Sequence, residues 1–382
     1  MKPVLRYFAI WARIFPWIFK YPAKSLWHRI YIFFDYIYLY HFKGLNMDEY
    51  YEFEFDSQNK EFRNSFLGVL EQRYYLDLLN PRKYYTLARN KYLTHKVLQN
   101  TGVRKSELYC YYTLEGHVRD SVEIATSVVD VCRILKNKNV RQCVIKDPEN
   151  SHGQGVIVVK DIQYLENDCK LCLFNGEECL LSNILGQYPK IFEGLIHQTT
   201  QLASFNSSSI NTIRFMTTLY PNGEAQIIAA FIKIGRAGNI VDNAGDGGNV
   251  DACIDVESGM IKYAVQYDGW RKISNIEKHP DSGVQLNGVV IENWEQIKSD
   301  VIRFQQAMPW CKAAGWDVAI TDAGATIIEV NDFWDRTGQL FIRKGWRYEI
   351  RNCYKAWKAT GKSYGIPTLY RYVTKRSSWL ND

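Results

Sequence analysis

From Glu61 to Leu79 apolar residues return at helical spacing (Phe62, Phe66, Val69, Leu70, Tyr74, Leu78), and Asn80-Pro81 closes the run. A second helix is expected to start with Asn90 as its cap and to pass through Tyr92, Leu93, Val97 and Leu98 to Gly102. Beyond it strands dominate. Cys143–Lys146 and Val156–Lys160 flank a glycine-containing loop, and Thr212–Tyr220 and Ala225–Ile234 flank the turn Pro221-Asn222-Gly223. Trp316–Val330 reads as a further hairpin around Thr321-Asp322-Ala323-Gly324. Helical spacing resumes over Trp294–Met308 and Gln339–Ala359. No internal repeat or low-complexity linker separates these runs. The expected class is α+β, antiparallel sheets with helices packed on them.

The first 43 residues follow a different pattern. Phe8, Trp11, Phe15, Trp17, Phe19, Trp27, Tyr31, Phe33 and Phe34 crowd together, yet Arg13, Lys20, Lys24, Arg29 and Asp35 interrupt every apolar stretch. A spanning helix needs about 20 mostly apolar residues, so none is expected here. No compact apolar core with a small-residue cleavage site follows Met1-Lys2, which argues against a secretory signal. Two readings stay open: an interfacial helix on anionic lipid, or a helical arm packed on its own domain with Lys and Arg stems snorkelling outward.

Composition sharpens this picture. The 382 residues exceed what one hydrophobic core supports, so two or three lobes are expected. At 46% apolar and 23% charged the chain is globular, not disordered, collagen-like or coiled-coil. The net charge of +6 is confined to the arm, where seven Lys and Arg face one Asp; the other 339 residues balance 40 basic against 40 acidic side chains. A general nucleic-acid binder is therefore excluded. Nine scattered cysteines suit a reduced, cytoplasmic interior. Cys169 and Cys172 form a C-x-x-C with Cys179 nearby, but no second ligand pair follows for zinc, and they read as ordinary buried thiols.

Three features carry candidate chemistry. Lys146 ends a strand and is followed by Ser151-His152-Gly153-Gln154-Gly155, a flexible hairpin whose N–H groups can approach phosphate oxygens while the lysine supplies charge. No Gly-Lys-Ser/Thr follows, so this is not a Walker A loop. Glu329 and Asn331, two apart, share one strand face, and the turn near Ala323 brings Asp317 opposite or diagonal to Glu329. Three oxygen-bearing side chains in a strand flanked by Ile327, Ile328 and Val330 suit Mg²⁺. The third feature is Asn211-Thr212-Ile213-Arg214, then Lys233 and Arg236, then the loop Asp242-Asn243-Ala244-Gly245-Asp246-Gly247-Gly248-Asn249, a setting for an anionic reaction centre.

In this order the features resemble the ATP-grasp superfamily, in its sugar-transfer-associated branch, over roughly residues 80–340. Asp317…Glu329-Val330-Asn331 and Asp242-Asn243…Gly247-Gly248 are the most specific pieces. The resemblance implies two α/β lobes with antiparallel sheets clasping ATP. It divides the chain into an aromatic, basic, mainly helical region (1–80), an amino-terminal lobe with the glycine loop (81–190), and a carboxyl-terminal lobe with metal site and terminal helices (191–382). Lys91 and Lys146, with Ser151, Gly153 and Gly155 of the loop, would contact ATP phosphates. Phe192-Glu193-Gly194-Leu195-Ile196 would be the inter-lobe hinge, with Glu193 and the backbone near Leu195 reading adenine. Asp317, Glu329 and Asn331 would hold one or two Mg²⁺ ions. Arg214 would steady the transferred phosphoryl group, with Lys233 and Arg236 beside it as catalytic candidates. Gln154 replaces a commonly basic loop residue, and Lys233 stands where relatives often carry Arg.

The implied activity is ATP-dependent carboxylate–amine ligation through an acyl phosphate, consistent with the absence of a nucleophilic triad. The branch's genomic company points to a sugar acid or amino-acid substituent, free or lipid-linked, in capsule or other cell-surface polysaccharide, handled in the cytoplasm or at the inner membrane face. Trp334, Arg336, Trp346 and Arg347 are candidates for gripping that sugar. His152 and His197 remain ambiguous. A kinase of the same fold acting on a hydroxyl, and a non-catalytic nucleotide-binding scaffold at the membrane, stay open as alternatives. Oligomeric state is not encoded in any of these patterns.

Overall fold

The computed structural model describes residues 12, 14–115, 121, 123–149, 155–239, 248–267 and 273–361. It opens with helices α1 (residues 14–20), α2 (Leu26–Lys43), α3 (Met47–Glu52), α4 (Lys60–Ser65) and α5 (Val69–Leu79). A 3₁₀ turn at Arg82–Tyr84 leads into α6 (Tyr85–Arg89) and α7 (Lys91–Leu98). There follow β1 (Leu108–Tyr112), β2 (Ile124–Ala125), α8 (Val128–Asn137), β3 (Cys143–Lys146), β4 (Ile157–Tyr164), β5 (Cys169–Leu173), β6 (Glu178–Leu180), α9 (Leu181–Ile184) and β7 (Lys190–Glu193). The chain continues through α10 (Thr200–Phe205), β8 (Thr212–Leu219), β9 (Ala225–Ile234), β10 (Val250–Ile254), β11 (Ile261–Tyr267) and β12 (Ile273–Ile276). It ends with α11 (Trp294–Ala307), β13 (Ala313–Thr321), β14 (Gly324–Asn331), α12 (Gly338–Phe341) and α13 (Arg347–Ala359).

The strands form two seven-stranded sheets. The first runs β2-β1-β7-β3-β4-β5-β6, antiparallel except for the β1–β2 pair, with α8 packed on it through Val131, Ile134 and Leu135. The second runs β12-β11-β10-β9-β8-β13-β14 and is antiparallel throughout. Alternation along β8 divides its two faces. Ile213 and Phe215 meet Trp294, Val301 and Phe304 of α11, whereas Met216 faces the layer made by α5, α12 and α13. The amino-terminal helices have a core of their own, built from Ile14, Tyr21, Ile32, Tyr36, Tyr50, Phe55 and Phe66.

Two long helices expected from the sequence are each broken. The 61–79 run stops at Ser65 because Phe66–Gly68 turns the chain back onto the body. The N–H groups freed there find tertiary acceptors: Leu67 donates to Gln339 Oε1, Val69 to Glu49 Oε1 and Leu70 to Gly44 O. Gly68 is required, since a Cβ would lie 2.6 Å from Gly44 O. The 339–359 run likewise splits into α12 and α13 at Arg343, φ 51°, and at Gly345, whose N–H donates to Ser65 Oγ. The helix capped by Asn90 ends at Leu98, short of Gly102.

Boundaries between the parts also differ from the sequence reading. Strand β7, cut by a division at residue 190, belongs whole to the first sheet, and α5 packs with the second lobe although it precedes residue 81. Cys169 meets Cys132 of α8 sulfur to sulfur, their Cα atoms 6.2 Å apart. It is therefore engaged with Cys132, neither an isolated thiol nor a metal partner for Cys172, and the described residues contain no cluster of three metal-ligating His, Cys, Asp or Glu.

Candidate functional site

A cleft of about 800 Å³ opens between the two sheets. Val144 and Val158 of the first sheet, with Phe174, make one apolar wall, and Ile210 and Ile328 contribute from the second lobe. Gly194, Leu195 and Ile196, which follow β7 of the first sheet and precede α10, line the cleft's edge, and His197 follows them into the lining. Such a slot suits a flat, weakly polar ring, and its polar end is strongly charged.

That end is built from both lobes. On the second sheet, Asp317 stands in register with Arg214 of β8 on one side and Glu329 of β14 on the other. Thr212, two residues from Arg214, is paired with Lys233 of β9. Cross-strand partners point to one face, so Lys233, Arg214, Asp317 and Glu329 form a charged band across four strands. Register shifts after Asp317, where Val318 faces Ile327, leaving Ile328 as a bulge residue. The bulge lets consecutive Ile328 and Glu329 both line the cleft, which plain alternation forbids.

Arg214 grips Asp317 bidentately, Nε to Oδ1 at 2.6 Å and Nη2 to Oδ2 at 2.7 Å, and Lys233 Nζ lies 2.9 Å from Oδ1. Burial alone would raise the Asp317 carboxyl, but the two cations outweigh it and hold it well below the usual carboxylate range. Asn331 lies two residues beyond Glu329, its amide nitrogen 3.5 Å from Gly315 O, and is not among the lining residues.

The first lobe supplies the facing cations. Lys146 ends β3 and donates to Glu193 Oε2 at 2.6 Å, while His95 bonds Glu193 Oε1 at 2.6 Å. Burial would raise the Glu193 carboxyl, yet Lys146, His95 and Lys105 hold it far below its ordinary range. An anionic acceptor at this distance requires His95 to donate from Nε2. Burial also lowers His95, against the raising effect of its bond to Glu193. The Glu193 side chain is thus committed to orienting Lys146, and it does not line the cleft as an adenine reader would.

Lys91 heads α7, where Asn90 accepts from the Leu93 N–H and the Lys91 N–H donates to Pro148 O. Its ammonium is lowered by burial and by Lys146, against Glu329, which raises it.

Lys105 is the residue the sequence did not disclose. It precedes β1 without a local motif and is brought in by a bridge to Ile327 on β14. Burial first, then Lys146 and Lys91, push it down to about 8, against the raising effect of Glu193 and Glu329. Lys91, Lys146, Lys160 and Lys233 line the cleft beside Asp147, Asp317 and Glu329, with Arg214, Lys105 and Glu193 behind the lining, a balance suited to a polyanion.

The structure does not bring every predicted residue here. Arg236 turns to Asp281 with two 2.7 Å bonds, outside the lining. Gly155 adopts φ 72°, but Ser151, His152 and Gly153 lie outside the described residues, as do positions 240–247 of the polar glycine loop. The proposed sugar-gripping group is structural. Trp334 and Trp346 are buried against each other, Arg336 lies 3.0 Å from Glu49, and Arg347 clasps the buried Glu71.

A family model described as sugar-transfer associated ATP-grasp matches residues 70–355. No curated protein matches the chain. Among solved structures, the chain is similar to Campylobacter jejuni biotin carboxylase in an ATP complex, at 9% identity and TM-score 0.42, covering 71% of this chain and 47% of that one. It is also similar to Helicobacter pylori D-alanine-D-alanine ligase, at 11% identity and TM-score 0.40, covering 73% and 64%. N5-carboxyaminoimidazole ribonucleotide synthetase from Thermotoga maritima stands at 11% and 0.39, covering 72% and 52%. The chain therefore spans about half to two thirds of the length of these structures.

Proposed function

From the premise that this chain belongs to the sugar-transfer associated ATP-grasp family, we propose that it is an ATP- and Mg²⁺-dependent carboxylate–amine ligase working through an acyl phosphate. The observation that carries the reading is the charged band of β8, β9, β13 and β14 facing Lys91 and Lys146 across an apolar-walled cleft.

Adenine would lie between Val144, Val158 and Ile328, against the backbone of Leu195 and Ile196, with the phosphates at Lys91 and Lys146. The donor chemistry at the band fits Mg²⁺: Asp317 and Glu329 are carboxylates paired directly across two strands, with the Asn331 amide oxygen as a third candidate. When bound there, the ion would neutralise phosphate charge. Asp317 already holds two cations, so ATP would have to draw Arg214 or Lys233 from the carboxylate onto its phosphoryl oxygens.

A substrate carboxylate oxygen attacks the γ-phosphorus, the bond to the bridging oxygen breaks, and ADP leaves. An amine then attacks the acyl carbon, phosphate departs, and the surplus proton passes to solvent. The chain's part is to orient both reactants and to exclude water from the acyl phosphate. The family's description as sugar-transfer associated supports a sugar-linked substrate, which we narrow to a sugar acid or amino-acid-bearing sugar of cell-surface polysaccharide.

The test is ATP turnover with a panel of sugar acids in hydroxylamine. The expected result is a hydroxamate with ADP and phosphate, lost in Glu329→Gln. A phosphate ester stable to hydroxylamine would show a kinase instead, and ATP binding without turnover on any carboxylate would favour the scaffold.

A further inference from the structure

Helix α2 turns its charges inward and its hydrophobic residues outward. Its 18 residues include three formal charges, Arg29, Asp35 and Lys43. Arg29 donates to Ile18 O and Tyr21 O, Asp35 accepts from Tyr50 and Arg63, and Lys43 donates to Asn64 O. Ile32, Tyr36 and Leu39 enter the core beside them. The opposite arc carries Leu26, Ile30, Phe34 and Tyr38 at steps of four, with Trp27, Tyr31 and Phe42 alongside, all exposed. Leu26, Trp27 and Phe34 keep 70%, 80% and 62% of their surface. Phe15 and Phe19 of α1, in edge contact with each other, are equally bare. Among the described residues, half of the exposed large hydrophobics, nine of 18, fall within residues 15–42. That concentration marks a docking surface.

Charge identifies what docks. Residues 1–43 hold the chain's entire +6, and Lys20 and Lys24 are exposed where α1 meets α2. A second copy would bring two such arms together against their repulsion. An anionic bilayer matches both the charge and the Trp-Tyr-Phe composition, since aromatic rings settle at headgroup depth. No helix among the described residues is long and apolar enough to cross a membrane.

We propose that α1 and α2 form a face that lies flat on an anionic lipid leaflet, with Trp27 and Phe34 at its centre and Lys20 and Lys24 against lipid phosphates. Arg336, 3.0 Å from the buried Glu49, fastens this module to the body, so docking would also fix how the cleft is presented to the leaflet.

Deleting residues 1–43 would strip the module's own core, so point variants are the proper probe. The full chain is floated with phosphatidylcholine vesicles, with or without phosphatidylglycerol, beside Trp27→Glu/Phe34→Glu and Lys20→Glu/Lys24→Glu. These positions are exposed, and unchanged melting temperatures check that folding is intact. Wild type is expected to float with the anionic vesicles. Lys20→Glu/Lys24→Glu should bind roughly tenfold or more weakly, and Trp27→Glu/Phe34→Glu should stay with the protein fraction. Three results would overturn the proposal: wild type that never floats, an aromatic variant that floats as wild type does, or a lipid-free dimer that the aromatic variant converts to monomer. None of these depends on whether the cleft proves to be a ligase.

Discussion

Glu193→Gln tests the orientation of Lys146. The carboxylate is 3% exposed and accepts two bonds of 2.6 Å, from Lys146 and His95. The amide keeps the shape but removes the nearest anion, leaving Lys146 and Lys105 close together with only the weaker influence of Glu329. Breaking a buried pair in this way costs about 3–5 kcal/mol. Lys146→Met should cost less, because Glu193 retains His95 and Lys105. The double variant should fall short of the summed single costs by roughly 1.5 kcal/mol or more. Urea unfolding followed by circular dichroism reads this as shifted midpoints at constant slope.

The sign of the pH dependence is also fixed. Glu193 is held below its unfolded value, so its contribution is present above the ordinary glutamate range and lost as pH falls through and below it. Glu193→Gln should flatten that acid limb. A single-variant cost under about 1 kcal/mol, or additivity within roughly 0.5 kcal/mol, would refute the orienting role.

The other expectations follow the same geometry. ATP affinity measured by calorimetry should weaken modestly as pH rises above about 8, where Lys105, behind the lining but coupled to Lys146 and Lys91, gives up its proton, and Lys105→Met should remove that limb of the profile. Arg236→Ala should change turnover less than about threefold because its guanidinium is spent on Asp281, whereas Arg214→Ala should lower it by about 100-fold or more. Gly345→Ala places a Cβ 2.0 Å from Ser65 O and should cost at least about 3 kcal/mol or prevent folding, read by thermal melts.

The hairpin of β13 and β14 and the cap of α7 were legible because each is local. The two-residue turn fixes the register from Thr321–Gly324 to Val318–Ile327; the bulge at Ile328, which the turn does not dictate, then sets Glu329 opposite Asp317. Asn90 accepts from an N–H three positions away. The outward face of α2 was legible only as a choice between lipid and packing, since which arc is buried depends on Tyr50 and Arg63 further along the chain. Lys105 was invisible because only a bridge to Ile327 gives it a place. The breaks at Phe66–Gly68 and near Arg343 share this cause. Helical spacing continues through both, but Gln339, Glu49 and Ser65 offer the interrupted backbone better partners than its own next turn. Trp334 and Arg347 looked like ligand-gripping residues for the same reason: their partners, Trp346 and Glu71, are set by the fold.

The fastening of the amino-terminal module has a consequence for synthesis. Leu67, Gln72 and Asn80 bond to Gln339, Trp334 and Asp332, and Glu49 faces Arg336. The first 80 residues leave the ribosome with their aromatic helices ready, yet their acceptors and counter-charge are made near the other end of the chain. The module must therefore wait through most of translation with its seam open. Its bare aromatic face, exposed over that interval, is a surface a chaperone or a nearby leaflet would shield.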